Sequence, residues 1–300
     1  MASLLPKNQG DFAKREYWDK FFSSRKSTFE WYGDFVQHST FFHKYLKKSD
    51  DVLIVGCGNS ELGAMICDRI GCASVLNIDT SEALIRQMRK RYCQSPAGNR
   101  LRYECMDVLK LTDCIEEKKL NPFTCVIDKG TLDAIHSGDQ SERTVRCMFD
   151  NIRSVLKMMA RYIIITLAQE HIIESICTYF LRESNEWLIN CHQLTSNRPG
   201  ERDSTGDGVF ALPVYGFVFT KLMSSPDLPR VSVYPLDSPD PQCLGGGERY
   251  AHQLEHQLRS WINQEQHCSL LRHNISAVYV MRLNEICTEV VKLYPLPESR

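Results

Sequence analysis

Several features that would assign this 300-residue chain to a common class are missing from it. None of its thirteen cysteines forms a C-x-x-C pair, and the odd number is scattered, with Cys57 and Cys125 inside apolar runs. Such thiols read as reduced core residues, so neither a zinc site nor a disulfide framework is expected. No apolar run approaches the roughly 18 residues that a membrane-spanning helix needs. The opening MASLLPKNQG lacks a basic stretch followed by a long apolar core, and no signal peptide is expected. Excess charge is absent too. The formal net charge is −1, which gives a nucleic acid no electrostatic foothold. The expectation is a cytoplasmic protein with neither nucleic acid nor membrane as partner.

One further absence is local. Val52–Val55 is a short apolar run that reads as a buried strand. It turns on Gly56-Cys57-Gly58, after which Asn59 or Ser60 caps a helix to about Arg69. Gly71 ends that helix, and a second strand, Ser74–Ile78, delivers Asp79 at its carboxyl end. Strand, glycine turn, helix, strand and acid in this order bind a nucleoside. The glycines let the backbone approach the ligand, and the acid accepts hydrogen bonds from ribose hydroxyls. A dinucleotide fingerprint would need a third glycine at position 61, where this chain has Glu61. A carboxylate there would repel a pyrophosphate. S-adenosyl-L-methionine carries a ribose, an adenine and a positive sulfonium but no phosphate, so it fits where NAD does not.

Ahead of the first strand, residues 11–35 are dense in aromatic rings. Tyr17 with Phe21, and Trp18 with Phe22, are i,i+4 pairs that suit a helix packed on the domain. Phe29-Glu30-Trp31-Tyr32-Gly33 stands apart, with an acid and two large aromatic faces just before a glycine. Aromatic faces attract cations, and both a sulfonium and a lysine ammonium are cations. Trp31 and Tyr32 are therefore placed near the site. A further helix is expected over Phe35–Tyr45.

Past Asp79, Thr80-Ser81 caps a helix to about Tyr92, whose Arg86, Arg89, Lys90 and Arg91 read as a solvated face. Leu101–Cys105 is a third strand, followed by Met106-Asp107. There an acid can accept from the adenine amino group while its apolar neighbour covers the ring; the plainer reading of Asp107 is an exposed loop acid. Phe123–Ile127 is a fourth strand and runs into Asp128-Lys129-Gly130-Thr131-Leu132-Asp133-Ala134. Ligands of open α/β sheets lie beyond the carboxyl ends of the strands. Two carboxylates and a lysine so close together at such an end are poorly explained by packing, although Asp133 could simply cap the next helix. A helix over Ser141–Lys157, a strand at Tyr162–Thr166, a helix over His171–Arg182, and strands at Trp187–Leu194 and Tyr215–Leu222 complete the pattern. The fold class is α/β, with a doubly wound, mostly parallel seven-stranded sheet. The polar Ser196–Gly208 reads as an exposed, mobile loop.

The tail reads differently. Ser224–Gly247 is rich in Pro, Ser, Asp and Gly, as linkers are. Glu248–Glu265 is amphipathic, with Tyr250, Leu254, Leu258 and Trp261 on one face, and Ile275–Leu283 and Thr288–Leu293 suggest a hairpin. The expected division is a domain over 1–223, a linker over 224–247, and the truncated α+β start of a second domain over 248–300. On that division a chain ending at Met223 keeps its fold.

GCGNSEL, NIDTS, MDV, DKGTLDA and FEWYG together resemble the seven-stranded S-adenosylmethionine-dependent methyltransferases. Over roughly residues 1–225 they resemble more closely the N-terminal domain of the dual lysine and N-terminal methyltransferases of translation elongation factor 1-alpha. The glycine turn is common to many methyltransferases, whereas DKGTLDA and FEWYG are far more specific. The resemblance implies a doubly wound sheet, S-adenosyl-L-methionine as cofactor, translation elongation factor 1-alpha as protein substrate and a lysine as acceptor. Only the lysine activity is expected to carry over.

The candidate cofactor residues are Trp31, Gly56, Gly58, Asn59, Asp79, Met106, Asp107 and Asp128. Tyr32, Lys129 and Thr131 are the candidates for substrate contact, and Asp128 and Asp133 for catalysis. The expected reaction is a direct displacement in which the lysine amine attacks the sulfonium methyl, without metal or covalent enzyme intermediate. A lysine has an ordinary pKa of about 10.4, so exposing its nucleophilic form at neutral pH costs about 4 kcal/mol unless the site helps. A carboxylate can orient the amine, and a desolvated pocket can lower its pKa. The rivals are an NAD-dependent oxidoreductase, disfavoured by Glu61, a small-molecule methyltransferase, and a cofactor-binding module without activity.

Overall fold

The computed structural model describes residues 9–24, 27–195, 213–223, 231–236, 240–244 and 251–272. Its strands are β1 (Asp51–Val55), β2 (Ser74–Asp79), β3 (Leu101–Cys105), β4 (Phe123–Lys129), β5 (Leu156–Thr166), β6 (Trp187–Thr195), β7 (Val214–Lys221), β8 (Val231–Tyr234) and β9 (Gln242–Leu244). They form one sheet in the order β3-β2-β1-β4-β5-β7-β6-β8-β9. β3 through β5 are parallel, and β7 runs antiparallel to both of its neighbours. The expected α/β class and its doubly wound order are present. Two short strands beyond β6 raise the expected seven to nine among the described residues.

The central strands read as unbroken apolar runs because both faces of the sheet are covered. Along β1, Leu53 and Val55 join one core with β4, β5 and the helices on that face. Val52 and Ile54 join the other. The first face carries α5 (Leu111–Glu117), α6 (Thr131–His136), α7 (Ser141–Val155), α8 (Glu170–Cys177) and α9 (Ala251–Arg272); the second carries α1 (Arg15–Ser23), α2 (Ser39–Tyr45), α3 (Leu62–Met65) and α4 (Glu82–Arg91). In α7 the buried positions Val145, Met148, Phe149 and Ile152 follow the helical repeat and meet the sheet. Ser81 caps α4 by accepting from Leu84 N–H, as its sequence suggests. α2 is shorter than the helix expected from Phe35: the side chains of Asp34 and Gln37 each accept the other's backbone N–H and close a turn ahead of Ser39.

The basic face of α4 is only partly solvated. Arg89 donates to the Tyr103 carbonyl and pairs with Glu104, and Arg91 reaches Thr28 and the Asn59 carbonyl. The tail departs further from expectation. β8 adds to β6 in parallel, so the stretch read as a linker contains an element of the sheet. In α9, Leu258 and Ile262 are fully buried in the same core as β4 and β5. Arg182 bonds the buried Glu255, at 2.5 and 2.7 Å, and Arg259 pairs with Glu170 and Glu174. No break in the core therefore falls at 223/224. The hairpin expected beyond residue 275 and the loop expected at Ser196–Gly208 lie outside the described residues.

The chain order reverses between β1 and β4, which pair with Val55 beside Asp128. That switch point is where ligands bind in sheets of this kind.

Candidate active site

The turn after β1 needs its glycines. Gly56 and Gly58 have φ of 57° and 53°, a region that L side chains rarely adopt. A Cβ on Gly56 would also lie 2.1 Å from Thr131 Oγ1. A third glycine does allow close helix–strand packing, but at position 63: a Cβ on Gly63 would stand 2.1 Å from Asn77 Oδ1 of β2. Beside the turn, Asp79 accepts from Gly58 N–H and from Ser81 N–H, each at 3.0 Å. Burial pushes its carboxyl above the ordinary range, and these N–H groups oppose the shift.

FEWYG forms a strap across the carboxyl ends of β1 and β4. Phe29 N–H donates to Asn59 Oδ1, and Asn59 Nδ2 donates to the Ser27 carbonyl. Glu30 does most of the tying. Its carboxylate accepts from Ser60 Oγ at 2.6 Å, from Glu61 N–H at 2.8 Å, and from Lys129 Nζ at 2.9 Å. The Lys129 ammonium, nearly enclosed, also donates to the Trp31 carbonyl at 2.6 Å. The start of α3 thus already holds a carboxylate from its own chain, in the position where a dinucleotide would present its pyrophosphate. His38 donates from Nε2 to the Tyr32 carbonyl and fixes the end of the strap.

The two aspartates of DKGTLDA have different surroundings. Asp128 is fully buried. Its oxygens accept from Thr131 N–H (2.8 Å), Leu132 N–H (3.1 Å) and Tyr162 Oη (3.2 Å), so it anchors the first turn of α6. Burial, and then the neighbouring Asp133, push its pKa up to about 7. Asp133 lies one turn on. Its Oδ1 accepts from Thr166 Oγ1 at 2.8 Å and from Tyr32 Oη at 3.3 Å. Its Oδ2 is buried and has no hydrogen-bond partner among the described residues. Burial raises this carboxyl as well.

Gly56, Gly58, Asp79, Tyr32 and Asp133 therefore gather at the switch point. Several other candidates serve the frame instead. Asn59 has both ends of its amide committed to the strap. Thr131 Oγ1 donates to the Val55 carbonyl. Lys129 is held by Glu30, and Asp128 lies beneath the site, engaged by the first turn of α6 and by Tyr162 of β5. Met106 is buried next to Asp79, whose carbonyl its N–H meets at 3.1 Å, and Asp107 accepts from Leu109 N–H. Trp31 packs edge-on among Phe12, Trp18 and Phe29, and its Nε1 is buried without a partner among the described residues. Glu30 and Thr166 were not among the candidates. The one signal for Glu30 was a lone acid in an aromatic stretch, and nothing in the sequence marks Thr166.

A glycine turn at the switch point and an acid at the end of β2 define a nucleoside-binding enzyme of the Rossmann-like kind. Residues 52–158 match the family described as a methyltransferase domain. The chain belongs to the S-adenosylmethionine-dependent methyltransferases. Within them it is 36% identical over 278 residues to the eEF1A lysine and N-terminal methyltransferase of Mus musculus, and 34% identical to that of Homo sapiens. Each match covers 90% of this chain, and the chain spans 37% of the length of those curated relatives. EEF1A lysine methyltransferase 4 of Bos taurus is 31% identical over 177 residues, 56% of this chain and 66% of that protein. Among the described residues, no helix is long and apolar enough to cross a membrane.

Proposed function

We propose that this chain methylates a lysine side chain of a protein, namely translation elongation factor 1-alpha, with S-adenosyl-L-methionine as the methyl donor. The names of its relatives support the substrate. The residues fit the cofactor: Gly56 and Gly58 give a close backbone approach, Asp79 offers carboxylate lone pairs for ribose hydroxyls, and Glu30 takes the helix start that a phosphate would need. When bound, the cofactor supplies an electrophilic methyl group.

The observation that carries the acceptor reading is the unpartnered Asp133 Oδ2. Buried polar atoms are nearly always hydrogen-bonded, so an empty carboxylate oxygen beside the switch point calls for a donor from outside the chain. An amine meets that need. Asp133 orients it, and its raised pKa brings it closer to that of a base able to hold the proton the amine gives up. Tyr32 is the wall the amine displaces: it is held in a left-handed conformation, and its bond to Asp133 is long at 3.3 Å. The ring and its neighbour Trp31 exclude water, which favours the neutral amine. Asp128, beneath them, holds α6 in place.

Asp133→Asn keeps the shape and removes the charge. It is expected to lower methyl transfer to purified elongation factor 1-alpha by tenfold or more, about 1.4 kcal/mol of barrier, with cofactor affinity nearly unchanged. Single-turnover labelling beside a thermal melt measures this. Near-normal transfer would reduce Asp133 to a structural group. Labelling confined to small molecules in a cell extract would instead favour a small-molecule methyltransferase.

A further inference from the structure

α9 lies outside the segment that matches the methyltransferase domain, yet its far end reaches the acceptor site. Gln266 is buried, and its Nε2 lies 3.2 Å from the Leu167 carbonyl and 3.4 Å from the Ala168 carbonyl. These residues form the turn that leaves β5. Ala168 is fully buried and stands at φ 51°, a left-handed conformation that an L residue adopts only when its surroundings hold it there. In that conformation Ala168 N–H donates to Thr166 Oγ1 at 3.0 Å. The hydroxyl has one proton. With a lone pair engaged by Ala168, the proton is aimed at Asp133 Oδ1, 2.8 Å away.

We infer that Gln266 is a positioning residue for the acceptor carboxylate: it holds the Leu167–Ala168 turn, which orients the Thr166 hydroxyl onto Asp133. The inference rests on the reading of Asp133 as the group that meets the amine. It makes α9 part of the acceptor machinery. Asp133 is faced by Tyr32 from the strap, Asp128 from β4, Tyr162 and Thr166 from β5, and His171 from α8. Of these, Thr166 makes its shortest hydrogen bond, so losing that donor's aim acts directly on the charge of Asp133. A hydroxyl donating to a carboxylate stabilises the ionised form, and its loss raises the pKa.

The test follows the Asp133 carboxyl by carbon-13 NMR titration in the free 300-residue protein, with Asp133→Asn identifying the signal. Gln266→Leu keeps the volume but cannot donate. It is expected to raise the Asp133 pKa by about half a unit or more and, because the carboxylate loses the hydroxyl that fixes its orientation, to lower kcat about fivefold with little change in KM for the protein substrate. Thr166→Val is expected to shift the same signal further. Ala168→Gly, which favours the left-handed turn, is expected to restore much of the lost rate in the Gln266→Leu background. Leu258→Ala, which loosens α9 two turns away, is expected to lower Tm without moving the titration. Should Gln266→Leu not fold, Gln266→Asn, one methylene too short to reach both carbonyls, is expected to show the same shift. An unmoved titration in the folded Gln266 variant, beside an inactive Asp133→Asn protein, overturns the inference alone. Normal transfer by Asp133→Asn removes the acceptor reading and the inference with it.

Discussion

On the β1–β2 side of the switch point, Asp79 is held by backbone: each oxygen accepts a main-chain N–H from within its own motif. On the β4–β5 side, Asp133 is held by side chains that are distant in sequence, Tyr32 and Thr166, and one of its oxygens has no partner among the described residues. Burial raises both carboxyls, so desolvation does not distinguish them. What separates them is remaining capacity. A group satisfied by fixed backbone donors suits a ligand that is always the same. On the proposed reading, a group satisfied on one side only suits an acceptor that arrives from another molecule.

The sharpest way to strain this comparison is to remove the tail. α9 and β8 bury Leu258, Ile262, Val231 and Val233 completely. At about 1.5–3 kcal/mol for each buried aliphatic side chain, their loss rivals the roughly 5–15 kcal/mol that holds a whole domain together. A chain ending at Met223 is expected to lose cooperative melting by circular dichroism, contrary to the division drawn from composition. If that chain still melts cooperatively, the two sides of the site are more independent than their shared core suggests.

A smaller effect separates Asp128 from the other two acids. Its pKa is pushed from the ordinary 3.8 up to about 7. Between those values the folded protein keeps a proton that the unfolded chain has released. Stability therefore falls as pH rises through this window and levels off above it. Asp128→Asn removes that titration, so the variant is expected to gain on the parent between about pH 4 and about pH 7, by on the order of a few kcal/mol. Urea melts across the range measure the difference. A constant offset would mean that Asp128 stays ionised throughout.

The smallest expected change lies on the cofactor side. Asp79→Ala removes charge-assisted bonds worth roughly 1.5–3 kcal/mol, and cofactor affinity is expected to fall by about tenfold or more. Calorimetry decides it. Unchanged affinity would leave Asp79 as a brace for Gly58 and Ser81 alone.

The same contrast explains what could be read from the sequence. Glycine turn, strand and acid are contiguous, and their spacing is set by local geometry, so β1, β2 and Asp79 were legible. The acceptor side was legible only as a motif. That the two acids of DKGTLDA have different surroundings depends on α6 turning its first N–H groups back onto Asp128, which spacing alone does not reveal. Asn59, Lys129 and Thr131 read as ligands because they stand in the motifs, yet each is consumed by partners far along the chain. The tail misled for another reason. Pro, Ser, Asp and Gly describe a linker's composition, but β8 needs only the four residues Val231–Tyr234 to reach a free sheet edge.

Adenosine is a common handle in metabolism, and most molecules that carry it also carry phosphates. A binding site that relied on shape alone would have to compete with all of them. On the proposed reading, Glu30 bears on that competition. With its carboxylate seated on Ser60 and Glu61 and paired with Lys129, it already holds the donors that the phosphate of a phosphorylated adenosine would use. Selectivity on that reading works by pre-emption: the protein fills the helix start with its own carboxylate, and a ligand without a phosphate loses nothing by it.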